Sequence, residues 1–166
     1  MSERVVIIGA GMAGLATALS LRHGGFRPLL VDKSRAVGGR MSSRTIGDAR
    51  FDQGAQHFGI LSESVAELLE PATTAGVMRE WFRTRDGRPR FVGVGGMRRI
   101  PEFLARSLEV HTGMPVERLT IDDGRVTVQA GSQRFEGAAD VVTPPQPQRQ
   151  ELLSASSIKL PETAIS

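Results

Sequence analysis

Val5-Val6-Ile7-Ile8-Gly9-Ala10-Gly11-Met12-Ala13-Gly14, followed at a distance by Pro28-Leu29-Leu30-Val31-Asp32, decides the reading of this chain. Val5 to Ile8 is a short β-branched run bounded by glycine, the pattern of a buried parallel strand. From about Met12 to Arg22 the spacing turns helical: Leu15, Ala18, Leu19 and Arg22 share a face. Ala13, Ala16 and Ala18 keep the segment slim, and Gly24-Gly25 stops it. Pro28 to Asp32 then reads as a second buried strand ending on a carboxylate. Three glycines at the GxGxxG spacing are a weak signal alone in a chain with 19 glycines. Here they leave a strand, open a helix and precede Asp32, which lies 23 positions after Gly9. Each glycine has a physical role. Gly9 permits the tight turn, Gly11 lets backbone approach a pyrophosphate, and Gly14 lets helix pack on strand. The helix N-terminus offers free N–H groups and a partial positive charge to phosphates, and Asp32 offers an acceptor to ribose hydroxyls.

Working outward, Lys33 to Arg50 is a polar connection containing Gly38-Gly39-Arg40-Met41. Arg44 to Phe51 reads as a hairpin about Gly47-Asp48. Ser62 to Leu69 reads as a helix capped by Ser62 and ended by Pro71. Strand-like pieces from Glu80 to Val94 flank Asp86-Gly87, and a helix from about Ile100 to Leu108 carries Pro101 in its first turn. Glu109 to Gly113, Val116 to Ile121, Arg125 to Gln129, Gln133 to Glu136 and Asp140 to Thr143 read as strands, with Asp122-Asp123-Gly124 as a turn. Pro144-Pro145 ends the last of them, leaving a helix-poor tail to Ser166. There is no internal repeat.

Composition narrows the chemistry. The 166 residues suit one globular domain with 40% hydrophobic and 23% charged content. Net charge is +3 although the pI is about 10.5, because 19 of the 21 basic residues are arginine and no Tyr or Cys titrates beneath them. The arginines are scattered, which reads as a solvated surface and not as a nucleic-acid stripe. Absence of cysteine excludes disulfides, thiolate metal sites, a cysteine nucleophile and a cysteinyl tether to a cofactor. His23 and His111 lack a partner pattern, so no metal site is expected. Three glycines interrupt the apolar N-terminal run and Ser2-Glu3-Arg4 has no net charge, so neither signal peptide nor spanning helix is expected and the location reads as cytoplasmic.

Asp32-Lys33-Ser34, Gly38-Gly39-Arg40-Met41-Ser42-Ser43 and Asp52-Gln53-Gly54-Ala55-Gln56-His57 together resemble the signature of flavin-containing amine oxidases, most of all the renalase-like branch. The resemblance is strong over residues 4–57 and weaker as far as Pro145. It implies an α/β fold, a Rossmann-type FAD-binding domain with a parallel sheet, helices, a small antiparallel β layer and part of a substrate domain. It implies non-covalent FAD held by Gly9, Gly11, Ala13, Gly14, Asp32, Lys33, Gly39, Arg40, Met41, Gln56, His57 and Val116. In that family the arginine of the GGR element lies beside the diphosphate, which carries over to Arg40. Ala13 would donate a backbone N–H to the same group, Gln56 and His57 would lie near the isoalloxazine, and Val116, on its strand, would meet the adenine edge. Arg40 has a physical case of its own, since two phosphates need more compensating charge than one helix end supplies.

The catalytic residue stays unassigned; His57 reads as a ring packed near the flavin, with a proton-transfer role as the alternative. Trp81, beside Phe82 and Phe91, reads as ordinary core, a substrate-cavity wall being the alternative. The expected division is an FAD-binding βαβ unit and flavin-proximal loop over 1–57, part of a substrate domain over 58–95, a return to the FAD domain over 96–145 and a ragged tail over 146–166. The family's late Gly-Asp element has no counterpart here, so the chain resembles an N-terminal half, with a second chain supplying the rest as one expected partner. The implied function is hydride transfer from a small amine or dihydronicotinamide-type substrate to FAD. The alternatives are a non-catalytic FAD-binding subunit and an NAD-dependent dehydrogenase domain. Partners are expected to be small molecules, with neither nucleic acid nor membrane.

Overall fold

The structure is a computed structural model that describes residues 2–156. Strand β1 (Arg4–Ile8), helix α1 (Met12–His23) and strand β2 (Arg27–Asp32) make the expected βαβ unit. A 3-10 turn over Gly39–Met41 leads to the hairpin β3 (Ser43–Ile46) and β4 (Ala49–Asp52). Next come α2 (Glu63–Thr74), the hairpin β5 (Met78–Arg83) and β6 (Pro89–Gly93), and α3 (Arg99–Ala105). Strand β7 (Glu109–Thr112) precedes a meander of β8 (Arg118–Asp122), β9 (Arg125–Ala130) and β10 (Gln133–Gly137), followed by β11 (Ala139–Val142) and α4 (Gln146–Ala155). The central sheet runs β11-β1-β2-β7 and is parallel throughout, while the meander and both hairpins are antiparallel.

Alternation along β1 organises two of the three cores. Val6 and Ile8, with Leu29 and Val31 of β2, face the meander and pack on Leu119, Val126, Val128 and Phe135. Ile7 and Leu30 point to the other face and pack on Ala10, Leu15 and Ala18 around α1. The third core joins α1 to the rest through Leu19, Met41, Leu69, Met78, Met97 and Ile100, so residues 58–95 and the helix after them share one apolar centre.

Four expectations need correction. Pro71 does not end α2: Ser62 caps the helix start at 3.4 Å from the Val65 N–H, and the helix runs on to Thr74 with Pro71 inside. Burial of Leu69 and Ala72 on either side of Pro71 outweighs one lost backbone hydrogen bond. Part of the expected ragged tail is α4, with Pro147 in its first turn. It has little apolar surface of its own, but Leu152 enters the meander core. At its end the Ser156 hydroxyl accepts from the Leu119 N–H at 2.7 Å and donates to the Leu152 carbonyl at 2.7 Å. The rest of the tail, 157–166, lies outside the described residues. Val116 lies in the lead into β8 and not in the strand, because pairing with β9 begins at Arg118↔Gln129. Trp81 and Phe82 are not core but remain largely open to solvent. Among the described residues no helix is long and apolar enough to cross a membrane.

Asp140 sits on the edge strand β11, where burial pushes its carboxyl above its ordinary 3.8 while a backbone hydrogen bond pulls the other way. A carboxyl raised in the folded state binds its proton more tightly there than in the unfolded chain. Its contribution to stability is therefore full below the unfolded value and is lost as pH rises through the folded value. Asp140→Asn keeps a hydrogen-bonding group without the charge. It should melt higher than the parent at neutral pH in thermal unfolding, with the gap narrowing as pH falls through the raised folded value and closed once pH is below about 3.8. A gap independent of pH would contradict this.

Candidate functional site

In an open parallel sheet, ligands bind beyond the C-terminal strand ends where the strand order reverses. Here the chain moves from β1 to β2 to β7 on one side, while β11 returns on the other side of β1. The reversal lies between β1 and β11, and a cavity of about 850 Å³ opens there. Its walls come from the glycine turn after β1, the Asp32-Lys33-Ser34 segment after β2, Met114 to Glu117 after β7, and Thr143 to Pro145 after β11. This volume falls in the upper part of the usual range for small-molecule sites, about 300–1,000 Å³.

The three glycines of the turn divide into two kinds. Gly14 is structural: a Cβ there would stand 1.9 Å from the Gly9 carbonyl oxygen, so only glycine lets α1 pack this closely on the turn. Gly9 adopts φ +102° and lies against Thr143, whose hydroxyl donates to the Ile8 carbonyl at 2.8 Å. Gly11 has an ordinary φ of −76°, and a Cβ on it would meet nothing within 4 Å. That open space is the cavity, so the missing side chain at Gly11 serves whatever occupies it. Gly11 also stands at the N-cap of α1 with no side-chain cap, and the first turn carries no acidic residue. The leading N–H groups of the helix thus keep their donors for an anion.

Asp32 makes contacts that spacing alone does not disclose. One carboxylate oxygen accepts from the Ala10 N–H at 2.6 Å and the other from the Ser34 N–H at 2.7 Å, tying the end of β2 to the glycine turn. The carboxylate still lines the cavity, and each oxygen keeps a lone pair for a ribose hydroxyl.

The GGRM element lies directly on the glycine turn. The Gly38 N–H donates to the Ala10 carbonyl at 2.9 Å, and Gly11 and Gly38 pair as an isolated parallel bridge. Gly38 and Gly39 both take left-handed backbone, φ +113° and +52°, and a Cβ on Gly39 would come 3.4 Å from the Gly11 Cα. Arg40 emerges from this stack into the cavity wall, exposed, with no hydrogen-bonded or ion-paired side-chain partner among the described residues. Its carbonyl is held from behind by the Ala55 N–H at 2.8 Å, and a Cβ on Gly54 would stand 1.9 Å from that carbonyl oxygen. Three motifs separated in sequence therefore interlock through backbone. Asp52 completes the support: one carboxylate oxygen takes the Ser43 hydroxyl at 2.5 Å and the Met97 N–H at 3.0 Å.

Of the sequence-derived site residues, the cavity brings together Gly9, Gly11, Ala13, Asp32, Lys33, Gly39, Arg40, Met41 and Val116. Gly14 stands behind the turn. Gln56 and His57 are exposed and stand outside the walls of this cavity, next to Phe58, which does line it. Phe58 exchanges both backbone hydrogen bonds with Phe91 of β6, which draws the loop toward the β5–β6 hairpin. Thr143, Pro144 and Glu151 line the cavity and were missed by sequence reading. The signal available was Thr143-Pro144-Pro145 directly after a strand, read only as a strand stop. Among the described residues no cluster of three or more His, Asp or Glu could hold a metal.

Comparison with known proteins places this geometry. Residues 7–71 match the NAD(P)-binding Rossmann-like domain, and residues 66–166 match the flavin containing amine oxidoreductase family. A phytoene desaturase (neurosporene-forming) of Rhodobacter capsulatus is 49% identical over 51 residues, 31% of this chain and 10% of that protein. A 4,4'-diapolycopene oxygenase of Methylomonas is 42% identical over 53 residues, 32% and 11% of the two chains. A phytoene dehydrogenase of Streptomyces griseus is 33% identical over 90 residues, 48% and 18%. Among solved structures, a redesigned putrescine oxidase superposes with TM-score 0.76 at 15% identity, covering 98% of this chain and 62% of that one. The CLA-producing fatty acid isomerase from P. acnes gives 0.72 at 15% identity, covering 90% and 60%. The matches thus span about a tenth to a fifth of these curated relatives and about three fifths of the solved chains. The family and the dinucleotide-binding fold together indicate FAD as the cofactor. With more than half its length matched, the chain belongs to the flavin-containing amine oxidoreductase family.

Proposed function

We propose that this chain is the FAD-holding part of an oxidoreductase, renalase-like in its motifs, that takes a hydride from a small amine or dihydronicotinamide-type substrate. The observation that carries the reading is the placement of Arg40 at the cavity by glycine-on-glycine contact with the turn that opens α1. The bound flavin supplies two-electron acceptance. The chain supplies binding and orientation. The helix N-terminus, the Ala13 N–H and Arg40 would hold the diphosphate. Asp32 would accept from the ribose hydroxyls, and Val116 would border the adenine. The open space at Gly11 and the lack of acid in the first turn fit this group. Phe58, Met41 and Leu69 give the cavity an apolar flank that would exclude water from a bound ring.

Loss of one charge-assisted phosphate contact costs ~1.5–3 kcal/mol, so Arg40→Ala should weaken FAD binding roughly tenfold to a hundredfold by fluorescence titration. Equal affinity of variant and parent would remove Arg40 from the site. Gly11→Val should leave melting behaviour close to the parent while abolishing FAD binding, whereas Gly14→Val should fail to fold because its side chain meets the Gly9 carbonyl. Binding retained by Gly11→Val would make that glycine structural. With no cysteine in the chain, flavin should leave the acid-denatured protein completely, and mass spectrometry should find no increment on the polypeptide.

A further inference from the structure

His57, Trp81 and Phe82 form a corner of three rings, although large rings are ordinarily buried. The His57 ring stands 5.2 Å from Phe82 at 88° and 6.1 Å from Trp81 at 54°, and Trp81 stands 5.2 Å from Phe82 at 77°. Two local features build it. The Phe58–Phe91 backbone bridge fastens the loop after Gly-Ala-Gln to β6. On β5 the register shifts between Glu80, opposite Phe91, and Phe82, opposite Arg90, so Trp81 is an extra residue. A bulge of this kind re-aims a side chain, and here it lets two successive rings reach His57. Trp81 remains 51% exposed and Phe82 40%.

The corner adjoins the cofactor cavity, because Phe58, the residue after His57, lines that cavity. The hairpin that carries Trp81 and Phe82 is net positive. The β5–β6 hairpin carries Arg79, Arg83, Arg85, Arg88 and Arg90 against Glu80 and Asp86. Both acids are already paired, Glu80 with Arg83 and Asp86 with Arg88, each at 2.8 Å. Three arginines are left in excess and no carboxylate on this hairpin is free to receive an ammonium group. A cation approaching these rings meets repulsion, and an anion meets attraction.

We propose that His57, Trp81 and Phe82 receive a planar conjugated ring of the substrate, and that this substrate carries negative charge and is not a cationic amine. The proposal rests on the flavin oxidoreductase reading for the word substrate, but ring binding at the corner is measurable without turnover. Trp81 is the chain's single tryptophan, so its emission reports this place alone. Benzoate, benzylammonium and cyclohexanecarboxylate separate charge from planarity in titrations of the FAD-loaded and FAD-free chain. Benzoate should quench Trp81 saturably, with a Kd about tenfold below those of the other two. Phe82→Leu should raise the benzoate Kd by about tenfold with FAD affinity unchanged, and added salt should weaken benzoate. Equal or tighter benzylammonium binding, absence of quenching, or an unaltered Kd in Phe82→Leu would overturn the proposal. Trp81 emission that shifts with protein concentration, together with a sedimenting dimer, would overturn it in favour of an interface between copies. Failure of the flavin reading would appear separately, as absence of FAD binding with the benzoate result intact.

Discussion

Backbone contact between Gly38-Gly39 and Ala10-Gly11 is the constraint on which the cofactor cavity depends. Two left-handed glycines bring one loop within touching distance of the turn that ends β1. A Cβ on either of them would strain the backbone, since L-residues rarely adopt such φ values; on Gly38 it would also crowd the Pro101 ring at 3.0 Å, and on Gly39 it would reach the Gly11 Cα at 3.4 Å. The contact fixes where Arg40 leaves the loop, and Gly54-Ala55 closes behind its carbonyl. A guanidinium thereby lines the same cavity as the start of α1, with no side-chain partner among the described residues. The glycines carry the geometry, so the arginine stays free for an anion.

Charge follows the same economy. The N-terminus of α1 bears neither cap side chain nor acid, while Asp32 spends one lone pair of each oxygen on the backbone N–H groups of Ala10 and Ser34. These bonds lock the β2 end to the glycine turn. Asp52 plays a comparable part outside the cavity, where Ser43 and the Met97 N–H satisfy it and join the β3–β4 hairpin to the start of α3. Asp32 and Asp52 thus act as fasteners between loops. The arginine-rich composition acquires a local meaning only at Arg40 and on the β5–β6 hairpin.

What sequence reveals here tracks how local the determining physics is. The strand, turn, helix and strand up to Asp32 are encoded by alternation, glycine spacing and helical periodicity within 32 residues, and the structure agrees to within a residue or two. The hairpin at Gly47-Asp48 and the turn at Asp123-Gly124, both with positive φ, were legible for the same reason. Pro71 misled because a tertiary core, not propensity, carries α2 through it. Helix α4 was invisible because its support comes from Leu152 in a distant core and from a serine bonded to another element's backbone. The loop carrying Gln56 and His57 is fastened by the Phe58–Phe91 bridge, a contact between residues 33 positions apart that no local pattern discloses. The interlock of three glycine motifs is likewise a property of space, although each motif was readable alone.

The dependence of Arg40 on the glycine stack is open to a double-mutant cycle in FAD affinity with Gly39→Ala and Arg40→Ala. Alanine at Gly39 strains the left-handed backbone at φ +52° and sets its Cβ against the Gly11 Cα at 3.4 Å, so the substitution perturbs the stack without touching the Arg40 side chain. If the stack serves to place Arg40, the double variant should bind FAD no more weakly than Arg40→Ala alone, giving a coupling close to the whole Gly39→Ala loss. Losses that simply add would show that the glycines and Arg40 act independently, and would contradict the central claim.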